Sequence, residues 1–239
     1  MHKHTLFLAT LSLTARLLFQ PVFAANPVTL HNHLAQSAPE LNPRVLGYAL
    51  DAMRCAMQQD KIAADRLAVI DFSLPSSEQR LWIFDLKKRS LLLHDFVAHG
   101  AKSGDNLPNR FSNINGSHQS SIGLFRSAES YSGKHGYSLR MDGLEPGFND
   151  RARERAIVIH GADYVNPAWI PRQGRIGRSQ GCPAVRPEIT KTVVDALKNG
   201  QLVFTWYPDP EWLQTSSFLN CPGPRLADRV NNQLHAGDS

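Results

Sequence analysis

The chain is short of cysteine, with three in 239 residues, and no two of them fall in a CxxC or mixed Cys/His spacing. That pattern argues against a structural zinc site. Beyond the first two dozen residues no stretch reaches the roughly 20 consecutive apolar residues that span a bilayer. Dense Lys/Arg runs with interleaved aromatics are also missing, so the formal net charge of +5 reads as a mild surface excess and makes no case for nucleic acid. Asp142, Glu145 and Asp150 offer no paired-carboxylate arrangement for glycosidase chemistry. No internal repeat is present. These absences leave a mid-sized protein with little metal, membrane-spanning or nucleic-acid character.

The N-terminus supports export. His2, Lys3 and His4 precede a mostly apolar stretch from Thr5 to Phe19, and Val22-Phe23-Ala24 places small residues at the −3 and −1 positions of a cleavage site. Residues 1–24 are therefore expected to be a signal peptide. Its loss removes Lys3 and Arg16 and lowers the charge by two. Residues 25–40 read as a polar, flexible lead-in. From Pro43, apolar residues recur at helical spacing: Val45, Leu46, Ala49, Leu50, Met53, Ala56 and Met57. Strand texture follows at 67–72, 80–85, 91–99, 121–126, 137–141, 155–160 and 201–207, with a helix over 187–198 stopped by Gly200. Many short strands and few helices predict a mainly β (minor α+β) domain over residues 41–207, with a C-terminal tail at 208–239.

Chemistry concentrates around Cys182. It lies in Arg175-Ile176-Gly177-Arg178-Ser179-Gln180-Gly181-Cys182-Pro183, where small residues and proline forbid a regular helix. A thiol on such a turn, near backbone N–H groups and arginines, has the surroundings of a cysteine nucleophile. His160 ends the clearest buried strand, a short loop upstream. It is the candidate general base, with the Gly161 carbonyl or Asp163 orienting its ring. The N–H groups of Gly181 and Cys182 are the candidate oxyanion donors. Arg175, Arg178, Ser179, Gln180, Arg186 and His135 are candidate substrate contacts, while His94, His99 and His118 are weaker ones. Cys55 and Cys221 are left to pair with each other; the competing expectation is that Cys55 is a small buried residue of its helix.

Ile157-Val158-Ile159-His160-Gly161 followed by Ser179-Gln180-Gly181-Cys182 resembles the His-Gly and Ser/Thr-x-Gly-Cys signature of the YkuD-type L,D-transpeptidases. Gly133-Lys134-His135-Gly136, Ser138-Leu139-Arg140, Phe96-Val97-Ala98-His99-Gly100 and Gly174-Arg175-Ile176-Gly177-Arg178 extend the resemblance to the murein L,D-transpeptidase catalytic-domain branch, over roughly residues 40–207. It implies a β-sandwich or barrel-like catalytic domain with a helix before the strands and another after the cysteine. It implies a periplasmic enzyme, with no metal or organic cofactor, acting on peptidoglycan stem peptides; a monomer is one option, and the sequence leaves the oligomeric state open. Cys182 would form a thioester with a tetrapeptide stem and pass the acyl group to an amine, a reaction that carbapenems intercept. The chain departs from the commonest pattern at Gln180, where many members carry His, and at Pro183, where many carry Arg. Two alternatives stay open: hydrolysis of the same thioester, giving a carboxypeptidase or endopeptidase, and a non-catalytic wall-binding scaffold.

Overall fold

The structure, a computed structural model, describes residues 27–59 and 62–228. The expected signal peptide lies outside the described residues. Eight strands form one mixed sheet in the order β3-β2-β1-β8-β4-β5-β6-β7. They are β1 (Arg66–Asp71), β2 (Leu81–Asp85), β3 (Ser90–Asp95), β4 (Gly123–Gly133), β5 (Gly136–Gly143), β6 (Val158–Gly161), β7 (Ala184–Val185) and β8 (Leu202–Trp206). Two pairings are parallel, β1 with β8 and β6 with β7. Ala98, just past β3 on one edge, bridges Ala184 in β7 on the other edge, so the sheet curls until it nearly closes as a barrel.

The apolar runs behind β1, β2 and β8 are covered on both faces. Leu67, Val69, Trp82, Phe84, Phe204 and Trp206 join one core, while Ala68, Ile70, Leu81, Ile83 and Val203 join the other. This is the period-two alternation of a pleated strand, with apolar residues at every position because neither face meets water. Helix α2 (Pro43–Gln59) packs on the first face, burying Val45, Leu46, Ala49, Leu50, Met53 and Ala56. Helix α4 (Pro187–Leu197) packs on the second through Val193, Val194 and Leu197.

Two segments differ from the sequence expectation. The lead-in holds helix α1 (Pro27–Ser37), whose Leu30 and Leu34 are buried against α2. These leucines lie one helical turn apart, but the helix is short and its other positions are mostly polar, so periodicity alone gave little signal. The tail is also ordered through residue 228. Helix α5 (Pro210–Thr215) is capped by Asp209, which accepts from Trp212 N at 2.9 Å. Trp212 is fully buried and donates its indole N–H to Glu145 at 2.7 Å; Ser216 donates to the same oxygen at 2.5 Å. Cys55 of α2 and Cys221 form a disulfide with Cα atoms 5.9 Å apart, tying the tail to the first face. Among the described residues no helix is long and apolar enough to cross a membrane.

Candidate active site

The candidate site lies where β6 and β7 end. His160 pairs with Ser138 of β5 on one side and Ala184 of β7 on the other, so both flanks of its backbone are fixed. The next residue must be glycine, because a Cβ at position 161 would collide with Thr190 Oγ1. Cys182 precedes β7 on a turn in which Gly181 takes φ 124°, a value side-chain-bearing residues avoid.

One hydroxyl organises that turn. Ser179 Oγ donates to Cys182 O at 2.6 Å and accepts from Gly181 N at 3.0 Å. The segment after β3 supports it from outside: Ser179 N donates to His99 O at 2.9 Å and Ala101 N to Ser179 O at 2.7 Å. Ser120 Oγ donates to Gly181 O at 3.1 Å. Ser179 is thus a buried structural element of the turn, where the sequence reading had it as a substrate contact. Gly181 is corrected too. Its N–H is engaged by Ser179, so it is not available as an oxyanion donor in this conformation. The N–H of Cys182 carries no hydrogen bond among the described residues and is the remaining backbone donor.

The half-buried Cys182 thiol is the one free cysteine among the described residues. It accepts from Val158 N at 3.5 Å and donates to Ala156 O at 3.7 Å. Burial pushes its pKa up, opposed by the Val158 N–H and by the Arg155 guanidinium. Arg155 is the cation that the sequence reading missed, passed over as the first residue of a strand. Its NH1 donates to Ser112 O and Ser121 Oγ, both at 2.5 Å, and its NH2 to Gln119 O at 2.7 Å and Ser117 Oγ at 3.2 Å. It thereby stitches the 112–121 loop to the back of the turn.

The arginines expected to act are otherwise engaged. Arg175 and Arg178 both pair with Asp105, at 2.8 and 3.2 Å, and Arg178 also donates to Gly104 O at 2.8 Å. Arg186 forms a two-point ion pair with buried Asp95, at 2.8 and 2.5 Å. These contacts brace loops, and each of the three guanidiniums already pairs with a carboxylate of the chain. Gln180 is exposed.

His160 is 4% exposed and donates Nδ1–H to Gly161 O at 2.9 Å. A carbonyl only accepts, so this bond fixes the proton on Nδ1 and leaves Nε2 as the basic nitrogen. Burial pushes the imidazole pKa down; the Gly161 carbonyl raises it and neighbouring His135 lowers it further. The His135 ring, from the β4–β5 turn, lies 4.5 Å from that of His160 between centroids, with 32° between planes. His135 and Gly161 line a cleft of about 620 Å³ together with Lys134, Tyr164, Thr190 and Lys191. The imidazole lies on β6 and the thiol on the turn before β7, without a mutual hydrogen bond among the described residues: Sγ rests against Val158, two residues before His160.

The other histidines stand apart. His94 stacks on Trp82 at 4.7 Å, and His118 occupies a loop at φ 54°. His99 is fully buried; its Nδ1 accepts from Arg80 NH2 at 2.7 Å. Among the described residues no group of three or more His, Cys, Asp or Glu side chains is placed to hold a metal ion.

No curated protein matches the chain. Solved structures that are similar include an L,D-transpeptidase from Mycobacterium smegmatis, at 13% identity and TM-score 0.38, covering 61% of this chain and 60% of that one. An L,D-transpeptidase from Stackebrandtia nassauensis shows 13% identity and TM-score 0.37, covering 77% and 92%. One from Mycobacterium tuberculosis shows 15% identity and TM-score 0.32, covering 60% and 58%. The chain thus spans about 60% of the length of the mycobacterial proteins. Likeness at this level is weak, and the family rests on a longer match to its own sequence pattern. Residues 37–206 match the L,D-transpeptidase catalytic domain, and the chain belongs to that family.

Proposed function

We propose that the protein is a peptidoglycan L,D-transpeptidase of the cell envelope, with Cys182 as nucleophile and His160 as general base. The observation that carries this reading is the β6–β7 pairing, which sets the only free thiol among the described residues beside the strand that ends in His160. Val158 and His160 stand about 6–7 Å apart along β6, so the thiol that now rests on Val158 N must turn toward the ring before it attacks.

Burial disfavours the charged form of both groups, raising the thiol and lowering the imidazole. That favours general-base catalysis over a stored thiolate–imidazolium pair. Nε2 of His160 takes the S–H proton as sulfur attacks the carbonyl of an L,D peptide bond of a tetrapeptide stem. The free Cys182 N–H faces the developing oxyanion. The tetrahedral adduct collapses, the leaving amine takes the proton from Nε2, and the acyl group remains on sulfur as a thioester. An incoming amine gives up a proton to Nε2 and takes the acyl group, restoring the thiol. Water in place of the amine gives the hydrolytic alternative.

Intact-protein mass spectrometry with a disaccharide-tetrapeptide tests this. The expected result is an acyl adduct on Cys182 that is absent from Cys182→Ala, with cross-linked dimers as product. Unchanged turnover in Cys182→Ala, or in His160→Gln, contradicts it. Shortened monomers without dimers establish the hydrolytic alternative. Acylation of Cys182 by a carbapenem is expected on the same grounds.

A further inference from the structure

We propose that His135 is a positioning residue for His160, holding that ring in place from the β4–β5 hairpin through contact with its face. This rests on the reading of His160 as general base. Three features of the fold bring the rings together. Gly133 pairs with Gly136, leaving Lys134 and His135 as a two-residue turn, and Gly136 takes φ 70° to close it. The β4–β5 register shifts between Ser127 and Ser130, re-aiming the distal hairpin. Ser138 then pairs with His160, so the turn arrives beside the imidazole. The hairpin does not hang free: Tyr137 donates its hydroxyl to Asp195 of α4 at 3.0 Å.

The contact is well suited to holding the ring. His160 is almost fully buried and spends Nδ1 on Gly161, so a partner competing for Nε2 would disable the base. His135 meets the ring by its face instead, at 4.5 Å, and leaves Nε2 unclaimed. His135 is exposed, and its proximity lowers the His160 pKa. The other charged or titratable groups around the site are Lys134 and Tyr137 on the hairpin, Asp163 and Tyr164 after β6, Lys191 on α4, and Cys182 with Arg155 behind it. Of these, only His135 has its ring against the His160 face.

The test follows the His160 ring by side-chain NMR titration, alongside pH profiles of kcat/KM, in the full chain and in His135→Phe and His135→Ala. Phenylalanine keeps a ring and removes the imidazole. The His160 pKa is expected to rise by about half a unit to one unit in His135→Phe, the size of one charge at this distance in a water-like medium. The acidic limb of kcat/KM should move to higher pH by the same amount. His135→Ala should show that shift together with a fall in kcat of about tenfold, because the ring support is lost as well. Titrations and profiles that superimpose on the parent in both variants overturn the proposal. The NMR arm needs no turnover, so failure of the acyl-transfer reading, seen as turnover in Cys182→Ala, stays distinguishable from failure of this one.

Discussion

Ser179 donates its hydroxyl proton to the carbonyl of Cys182, three residues on, at 2.6 Å, while the same oxygen accepts from Gly181 N. Ser179→Ala leaves both of those backbone groups without their partner in a buried turn. Such a loss costs about 1–3 kcal/mol. If it falls on the geometry of Cys182, kcat/KM drops by about 10- to 100-fold. The two cores contain none of these atoms, so the thermal transition should move by only a few degrees. Steady-state kinetics and a melting curve on the same preparation check both expectations. An unchanged kcat/KM would show that the turn holds its shape without the hydroxyl.

The thiol's surroundings make a second prediction. A cysteine held as a thiolate by histidine alkylates at a constant rate across neutral pH. Cys182 is instead pushed above its ordinary value by burial, with Arg155 only partly compensating. Its iodoacetamide rate in the absence of substrate should therefore climb with pH through 9, with no plateau near 7. Arg155→Met removes the compensating charge and should slow labelling at any given pH in that range, provided circular dichroism shows the fold intact.

The chemistry was legible in the sequence where a residue's surroundings are local. His160 ends an apolar run, and Cys182 sits among glycines and a proline that permit only a turn; type and neighbours are enough to single out both as candidates. The long-range partners were not legible. Arg155 reads as the edge of a strand until the 112–121 loop is seen wrapped around it. Arg175 and Arg178 read as substrate contacts until Asp105, far back in the chain, is seen between them. His135 lay in a recognisable turn, but only the β5–β6 register sets it against His160. Helix α1 and the tail were misread for a related reason: their order comes from Leu30 and Leu34 on α2, from Trp212 on Glu145, and from a disulfide across the molecule.

That disulfide gives a third prediction. Cys55 and Cys221 close a loop of 166 residues, and restricting the unfolded chain this way contributes at most about 4–5 kcal/mol. A Cys55→Ala/Cys221→Ala double variant should unfold at clearly lower urea, yet keep Cys182 labelling and turnover, because the bridge lies on the face away from the site. Thiol counting on the oxidised parent should give one reactive group in the native state and three after unfolding with reductant. Two or more native thiols would mean that the bridge is absent.

His99 supplies the last prediction. It is enclosed with Arg80, which donates to its Nδ1 at 2.7 Å and to Val97 O and Leu74 O, and whose own pKa is brought down to about 9 by burial. That guanidinium is still charged at neutral and acidic pH. Burial and the adjacent cation drive the His99 pKa from 6.5 to about 3. Between those values the unfolded chain binds a proton at His99 that the native protein refuses. Stability is therefore intact above pH 6.5 and is lost as pH falls toward 3, by up to about 1.4 kcal/mol per pH unit. His99→Gln offers Arg80 an acceptor and does not titrate, so its unfolding free energy should fall less steeply over the same window. Urea melts of parent and variant at several pH values between 3 and 7 measure the difference in slope. Parallel curves would mean that His99 takes up its proton inside the folded protein. The Arg80–His99 pair could then not be the rigid support behind Ser179 that the backbone bond from Ser179 to His99 implies.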